Sequence, residues 1–277
     1  MRATARNAQA CVWAAAALAA GLAGCGRADL NPKFVTQARA DRGVVLILPG
    51  IEGQSSANRD IREGLASGQI PYALVIYRWG SRVPGPGGML LNQTDVQGNR
   101  QKARDLAQRI VQYQQDQPGR PVFIIGHSAG GGMAVFALEY LAAIPGAKPI
   151  EGVFLLSASI SSDYDLTPAM TMTRRGLANV YNPDDRILDT GTARFGNVDG
   201  RRGPSAGRTG FTRPFARVYQ RCLTTRMVAQ ATGESGLPHF LATHEKLISR
   251  YAPPWILSET WPPPGVPAMD NPAQACR

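Results

Sequence analysis

Four short apolar runs, separated by helix-like stretches at regular distances, constrain this chain more than any other feature in it. Gly43–Leu48 (GVVLIL), Ile70–Tyr77 (IPYALVIY), Pro121–Ile125 (PVFII) and Gly152–Leu156 (GVFLL) are apolar at consecutive positions. A strand with one wet face alternates polar and apolar residues, whereas a strand covered on both faces does not. Between these runs Asn58–Ser67, Asn99–Gln115 and Met133–Ala143 read as helices. The second carries a stripe of Ala103, Leu106, Ala107, Ile110 and Val111 that stops before Pro118 and Gly119. Strand, helix, strand at this spacing predicts parallel strands joined by right-handed crossovers, with their C-terminal ends gathered on one edge. At 277 residues, 44% hydrophobic and 18% charged, the chain can bury one sizeable core, and a single domain over 43–277 absorbs all four runs.

Other segments read less regularly. Leu177–Tyr181 and Arg226–Thr232 are two further short strand candidates. Arg78–Leu91 holds four glycines and two prolines and is expected to be a loop, and Thr190–Thr212, almost without periodicity, a surface excursion. Pro253–Pro272 is expected to be extended or turn-rich.

The first 24 residues have the make-up of an export signal. Arg2 and Arg6 supply a positive start, and the apolar run Cys11–Leu22 is too short to span a bilayer permanently. It ends in Leu22–Cys25 (LAGC), which resembles the bacterial lipobox, in which cleavage precedes a cysteine that then carries the lipid. That resemblance implies a lipid on Cys25, a membrane anchor in the cell envelope with a lean toward the outer membrane, and a tether over 25–42. Export implies an oxidising compartment. Cys11 leaves with the signal, and with Cys25 lipidated the remaining pair, Cys222 and Cys276, is expected to form a disulfide tying the C-terminal tail to the body; two buried free thiols are the alternative.

The formal charge is +10, and losing Arg2 and Arg6 leaves +8. The basic residues lack the clustering with aromatics that a nucleic-acid surface needs, so no nucleic-acid partner is expected. Arg174 with Arg175 and Arg201 with Arg202 read as solvated loop positions, and attraction to anionic lipid headgroups is a further use of the surplus.

Directly after the third strand comes Gly126, His127, Ser128, Ala129, Gly130, and directly after that the third helix. A serine hydroxyl is a poor nucleophile near neutrality and must be held clear of neighbours, beside a base and near oxyanion donors. A sharp strand-to-helix turn does this, with glycines at 126 and 130 where side chains would collide and helix N-terminal amides aimed at the same point. Only three histidines are available as base: His127 sits inside the turn, a packing spacer in the hydrolases this segment resembles, His239 precedes a helical stretch from about Leu241, and His244 falls one turn into that helix, on a solvated face.

In this order of motifs, over about Gly43–Leu257, the chain resembles the α/β-hydrolase superfamily, its esterases and lipases in particular. The resemblance implies that fold, with a mostly parallel sheet and helices on both faces, and a serine hydrolase acting through an acyl-enzyme. It places the nucleophile at Ser128, the base at His239 in preference to His244, and the backbone oxyanion donors at Ile51, in LPGIEG (Leu48–Gly53), and Ala129. Glu52 comes too early in that order to be the acid. The acid follows the penultimate strand in Val180–Leu188 (VYNPDDRIL), with Asp185 preferred to Asp184; Asp163 and Asp165 stay open, because some relatives place the acid after the preceding strand. The implied substrate is a small or lipid-like ester. No metal or other cofactor is implied: the histidines and cysteines lack ligand spacing, and GHSAGGG lacks the Lys and Ser/Thr of a phosphate loop. The rival reading is a noncatalytic envelope lipoprotein that uses the fold as a binding scaffold.

Overall fold

A computed structural model of the protein describes residues 28–266 and residue 276. Cys25 and the export signal lie outside the described residues. In chain order the elements are β1 (Ala28–Asp29), α1 (Gln37–Ala40), β2 (Val44–Leu48), α2 (Ser56–Ser67), β3 (Ala73–Tyr77), α3 (Gly85–Thr94), α4 (Val96–Asp116), β4 (Val122–His127) and α5 (Ala129–Ala142). They continue with β5 (Ile150–Leu156), α6 (Thr167–Met170), β6 (Thr173–Tyr181), α7 (Arg186–Phe195), α8 (Ala206–Thr209), β7 (Val218–Cys222), α9 (Thr225–Thr232), α10 (Pro238–Leu241) and α11 (Glu245–Leu257).

The seven strands form one sheet in the order β1-β3-β2-β4-β5-β6-β7, parallel except for β1. This is the α/β-hydrolase architecture. Successive residues of a strand point to opposite faces, and here both faces are filled. Val44, Leu46 and Leu48 join Leu106, Ile110 and Met133 in one core, while Val45 and Ile47 join Ile61, Leu65, Ile248 and Ile256 in the other. Helices α4 and α5 thus cover one side and α2 and α11 the other, which is why the strand sequences show no alternation. Among the described residues no helix is long and apolar enough to cross a membrane.

Several expectations are corrected. Residues 28–42 do not form a free tether: β1 pairs with β3, Phe34 is buried, and Arg39 donates to the carbonyls of Ile70 and Tyr72. Within Arg78–Leu91 the last seven residues enter α3. Pro84 and Pro86 fall at its start, where a missing N–H costs nothing, and Gly88 meets the Val83 carbonyl so closely that no Cβ fits. Thr190–Thr212 is packed: it contains most of α7 and all of α8, and Val198 and Phe211 are buried. Arg226–Thr232 belongs to a helix capped by Thr224, and the sixth parallel strand is β7 instead. Pro253 and Pro254 lie inside α11. Cys222 and Cys276 are disulfide-bonded, with Cα atoms 5.7 Å apart.

Candidate active site

Ser128 occupies the turn between β4 and α5 with φ 54° and ψ −125°, a backbone conformation that a serine adopts only when its surroundings impose it. The imposition is steric. A Cβ at Gly126 would stand 2.4 Å from the Gly130 carbonyl oxygen, and one at Gly130 would stand 2.3 Å from that of Leu48, so helix and strands approach more closely than any side chain allows. The main chain of Ser128 is fixed on both sides, its N–H donating to Leu156 and its carbonyl accepting from Ser159 at 2.9 Å. Its hydroxyl makes no hydrogen bond among the described residues. Ala129 is the first residue of α5, so its N–H is one of the helix's unpartnered N-terminal donors.

The turn after β2 is held from outside. Gly53 donates to the Gly50 carbonyl across Ile51 and Glu52, the Trp79 indole donates to the Pro49 carbonyl at 2.7 Å, and Asn92 of α3 donates to the Ile51 carbonyl at 2.8 Å. Asn99 in turn donates to the main chain of Asn92. The structure thus sets Ile51 beside the elbow: a Cβ on Gly50, its neighbour, would lie 3.1 Å from that of Ser128.

His239 Nδ1 lies 2.7 Å from Asp185 Oδ2, and both residues are buried. A carboxylate oxygen only accepts, so the proton sits on Nδ1 and the Nε2 lone pair is left available. Asp185 caps α7, its other oxygen accepting from the Leu188 N–H at 3.0 Å, so the carboxylate is immobilised through both oxygens. Burial holds the His239 imidazole below its ordinary range; the hydrogen bond it donates to Asp185 pulls the other way without overcoming it, and His127 nearby adds to the depression.

The rival candidates are occupied elsewhere. Asp184 is exposed and accepts from the Thr225 N–H; Asp163 pairs with Arg201, and Asp165 accepts from Thr167. His244 caps α11, accepting from Lys246. His127 proves to be more than a spacer. Fully buried, it donates from Nε2 to the His239 carbonyl at 3.1 Å, while its Nδ1 stands 3.7 Å from Glu52, an ion-pair separation too long for a hydrogen bond. Burial raises the Glu52 carboxyl, but contact with His127 and with Ser55 outweighs it and holds the group below the usual range.

Two cavities border these elements. The larger, about 670 Å³, lies among Phe154, Val180, Tyr219, Met227, Ile248 and Trp255, and neither cavity counts Ser128, Asp185 or His239 among its lining residues. The smaller, about 300 Å³, is lined by Ile51 and Glu52 on one side and by Arg78, Arg82, Val83 and Met89 on the other. The smaller one is tied to the site through Ile51, whose neighbour Gly50 approaches Ser128, and through Asn92, which holds the Ile51 carbonyl. Trp79 and Asn92 were hidden in the sequence, because they support the site from a glycine- and proline-rich stretch that carries no periodic signal, and Asn99 because a polar residue at the head of a helix does not disclose its partner.

A seven-stranded, mostly parallel sheet with a strained serine after its central strand defines a serine hydrolase of the α/β-hydrolase fold. A family model described as serine aminopeptidase, S33 matches residues 40–187, just over half of the chain, and the protein belongs to that family. Solved structures with a similar fold include a predicted CIB-like hydrolase from Thermoplasma acidophilum (14% identity, TM-score 0.46, 80% of this chain and 88% of that one). They include the esterase domain of a Rhodothermus marinus protein (13%, 0.44, 82% and 89%). Aspergillus fumigatus lipase B also resembles it (11%, 0.51), with 83% of this chain covering 55% of that longer one. No curated protein matches the sequence.

Proposed function

We propose that the protein hydrolyses a carboxylic ester through an acyl-enzyme, with Ser128 as nucleophile, His239 as general base and then acid, and Asp185 orienting the imidazole. The observation that carries this is the 2.7 Å contact between His239 Nδ1 and Asp185 Oδ2, together with a serine whose hydroxyl is otherwise unengaged. His239 takes the Ser128 proton as Oγ attacks the carbonyl carbon, and the oxyanion is received by the N–H groups of Ile51 and Ala129. Collapse expels the alcohol, which takes the proton from His239; water then repeats the sequence and releases the acid. A depressed imidazole suits this role, since the base must be neutral when substrate arrives.

Apolar and cationic groups beside the smaller cavity, Val83 and Met89 with Arg78 and Arg82, favour an ester with an apolar body. The disulfide supports export, because such bonds persist in oxidising compartments, and we place the mature protein in the envelope, anchored by a lipid on Cys25. Ser128→Ala tests the chemistry. It is expected to abolish p-nitrophenyl ester turnover and fluorophosphonate labelling together; labelling that persists elsewhere rejects the site. Faster turnover of an aminoacyl p-nitroanilide than of the ester would move the assignment from esterase to peptidase.

A further inference from the structure

The first described strand lies at the edge of the sheet where the site lies. Ala28 pairs with Tyr77, the last residue of β3, so β1 sits at the C-terminal edge of the parallel strands, the edge that also carries Ser128 and Asp185. The link to the small cavity is direct. Gln54 donates to Asp29 at 2.5 Å and Arg78 donates to the Ala28 carbonyl, and both Gln54 and Arg78 line that cavity. Asp29 is further held by Arg62 at 3.2 Å.

Two residues separate Cys25 from Ala28. Even fully extended, that stretch allows the two Cα atoms to lie no more than about 11 Å apart. A lipid on Cys25 would therefore leave the sheet almost no slack, and the bilayer would meet the molecule at the cavity's rim.

The rim fits such a neighbour. From Arg82 to Leu91 every residue except Gly88 is exposed, and Val83, Met89, Leu90 and Leu91 are 50%, 38%, 47% and 42% accessible. Monomeric proteins seldom gather large apolar side chains at the surface in this way without a partner. Between Glu63 and Asp95 the chain holds no acidic residue, and its only charges there are Arg78 and Arg82, so this segment itself does not repel an anionic headgroup layer; of the nearby carboxylates, Asp29 is paired with Arg62 and Glu52 faces His127.

We propose that the segment 82–91 is a membrane-facing surface that seats on the leaflet holding the Cys25 anchor, with the small cavity opening onto that leaflet and the substrate an ester drawn from the lipid layer. This rests on the proposed esterase chemistry only for the substrate; the orientation stands without it.

The experiment uses the full-length lipidated protein, its lipid confirmed by mass, in vesicles of phosphatidylethanolamine and phosphatidylglycerol. An environment-sensitive dye is placed at Leu90→Cys or, at the opposite sheet edge, at Arg120→Cys. The dye at 90 is expected to shift to the blue and to be quenched by lipid-borne quenchers, and the dye at 120 to do neither. Equal behaviour at both positions, or a mature chain without lipid, overturns the proposal. The pair Leu90→Glu and Leu91→Glu should lower hydrolysis of a vesicle-embedded ester by at least about tenfold while leaving p-nitrophenyl acetate turnover unchanged. An equal fall on both substrates overturns the surface role. A wild-type protein inert toward p-nitrophenyl acetate overturns the esterase reading instead, and the dye result is unaffected by it.

Discussion

The Asn92 side chain donates to the Ile51 carbonyl at 2.8 Å and accepts from the Ser81 N–H at 2.5 Å. One buried amide thereby ties the turn after β2 to the segment after β3, while the Ile51 N–H shares a peptide plane with the Gly50 carbonyl, which accepts from Gly53 at 3.1 Å.

Removing that amide should loosen the turn without emptying the site. Asn92→Ala is expected to lower kcat by about 10–100-fold with little change in KM, as misplacement of an oxyanion donor does. Steady-state kinetics on a p-nitrophenyl ester measure it, and an effect confined to KM would contradict the assignment.

The His239–Asp185 pair makes a pH prediction whose sign is fixed. The active form has neutral His239, so kcat/KM rises with pH as the imidazole loses its proton, and burial places that acid limb below the ordinary imidazole range. Asp185 favours the protonated form; Asp185→Asn should therefore move the limb further toward acid, while kcat falls by about 10⁴ because the tautomer is no longer held. A limb that moves toward alkali refutes the assignment.

At Gly130 the constraint is steric. An added Cβ would meet the carbonyl oxygens of Leu48 and Pro49 at 2.3 and 2.4 Å, and both are backbone atoms that cannot swing aside. Gly130→Ala is expected to destabilise the fold by about 1–3 kcal/mol and to lower fluorophosphonate labelling, readable from denaturant melts and gel fluorescence.

The Cys222–Cys276 bond joins residues 54 positions apart in the sequence. Replacing both cysteines by serine should cost about 2–4 kcal/mol, most of it through the freer unfolded chain. Denaturant unfolding of the double variant, beside the reduced wild type, measures this.

The sheet and the elbow were legible because each rests on a local signal. Consecutive apolar residues such as Val44–Leu48 announce a strand covered on both faces, and GHSAG between strand and helix announces a strained turn. Asp185 was preferred to Asp184 through the family resemblance alone; that it opens a helix is what the structure adds. What was not legible depends on distant partners. Arg226–Thr232 has β-branched and apolar residues but is turned into helix by its Thr224 cap and by Val228 packing on Leu241 and Leu247. Helix α3 forms over glycines and prolines because Asn92 and Gln93 are satisfied by Ile51, Ser159 and Gly196. The hydrogen bond from His127 to the His239 carbonyl joins segments 112 residues apart, a distance no pattern encodes.

Since His239 lies between Cys222 and Cys276, the strand end, two short helices and α11 belong to a covalent ring. A protease that cuts once anywhere inside that ring produces two fragments that do not part, so the histidine stays fastened to the body until a reductant arrives.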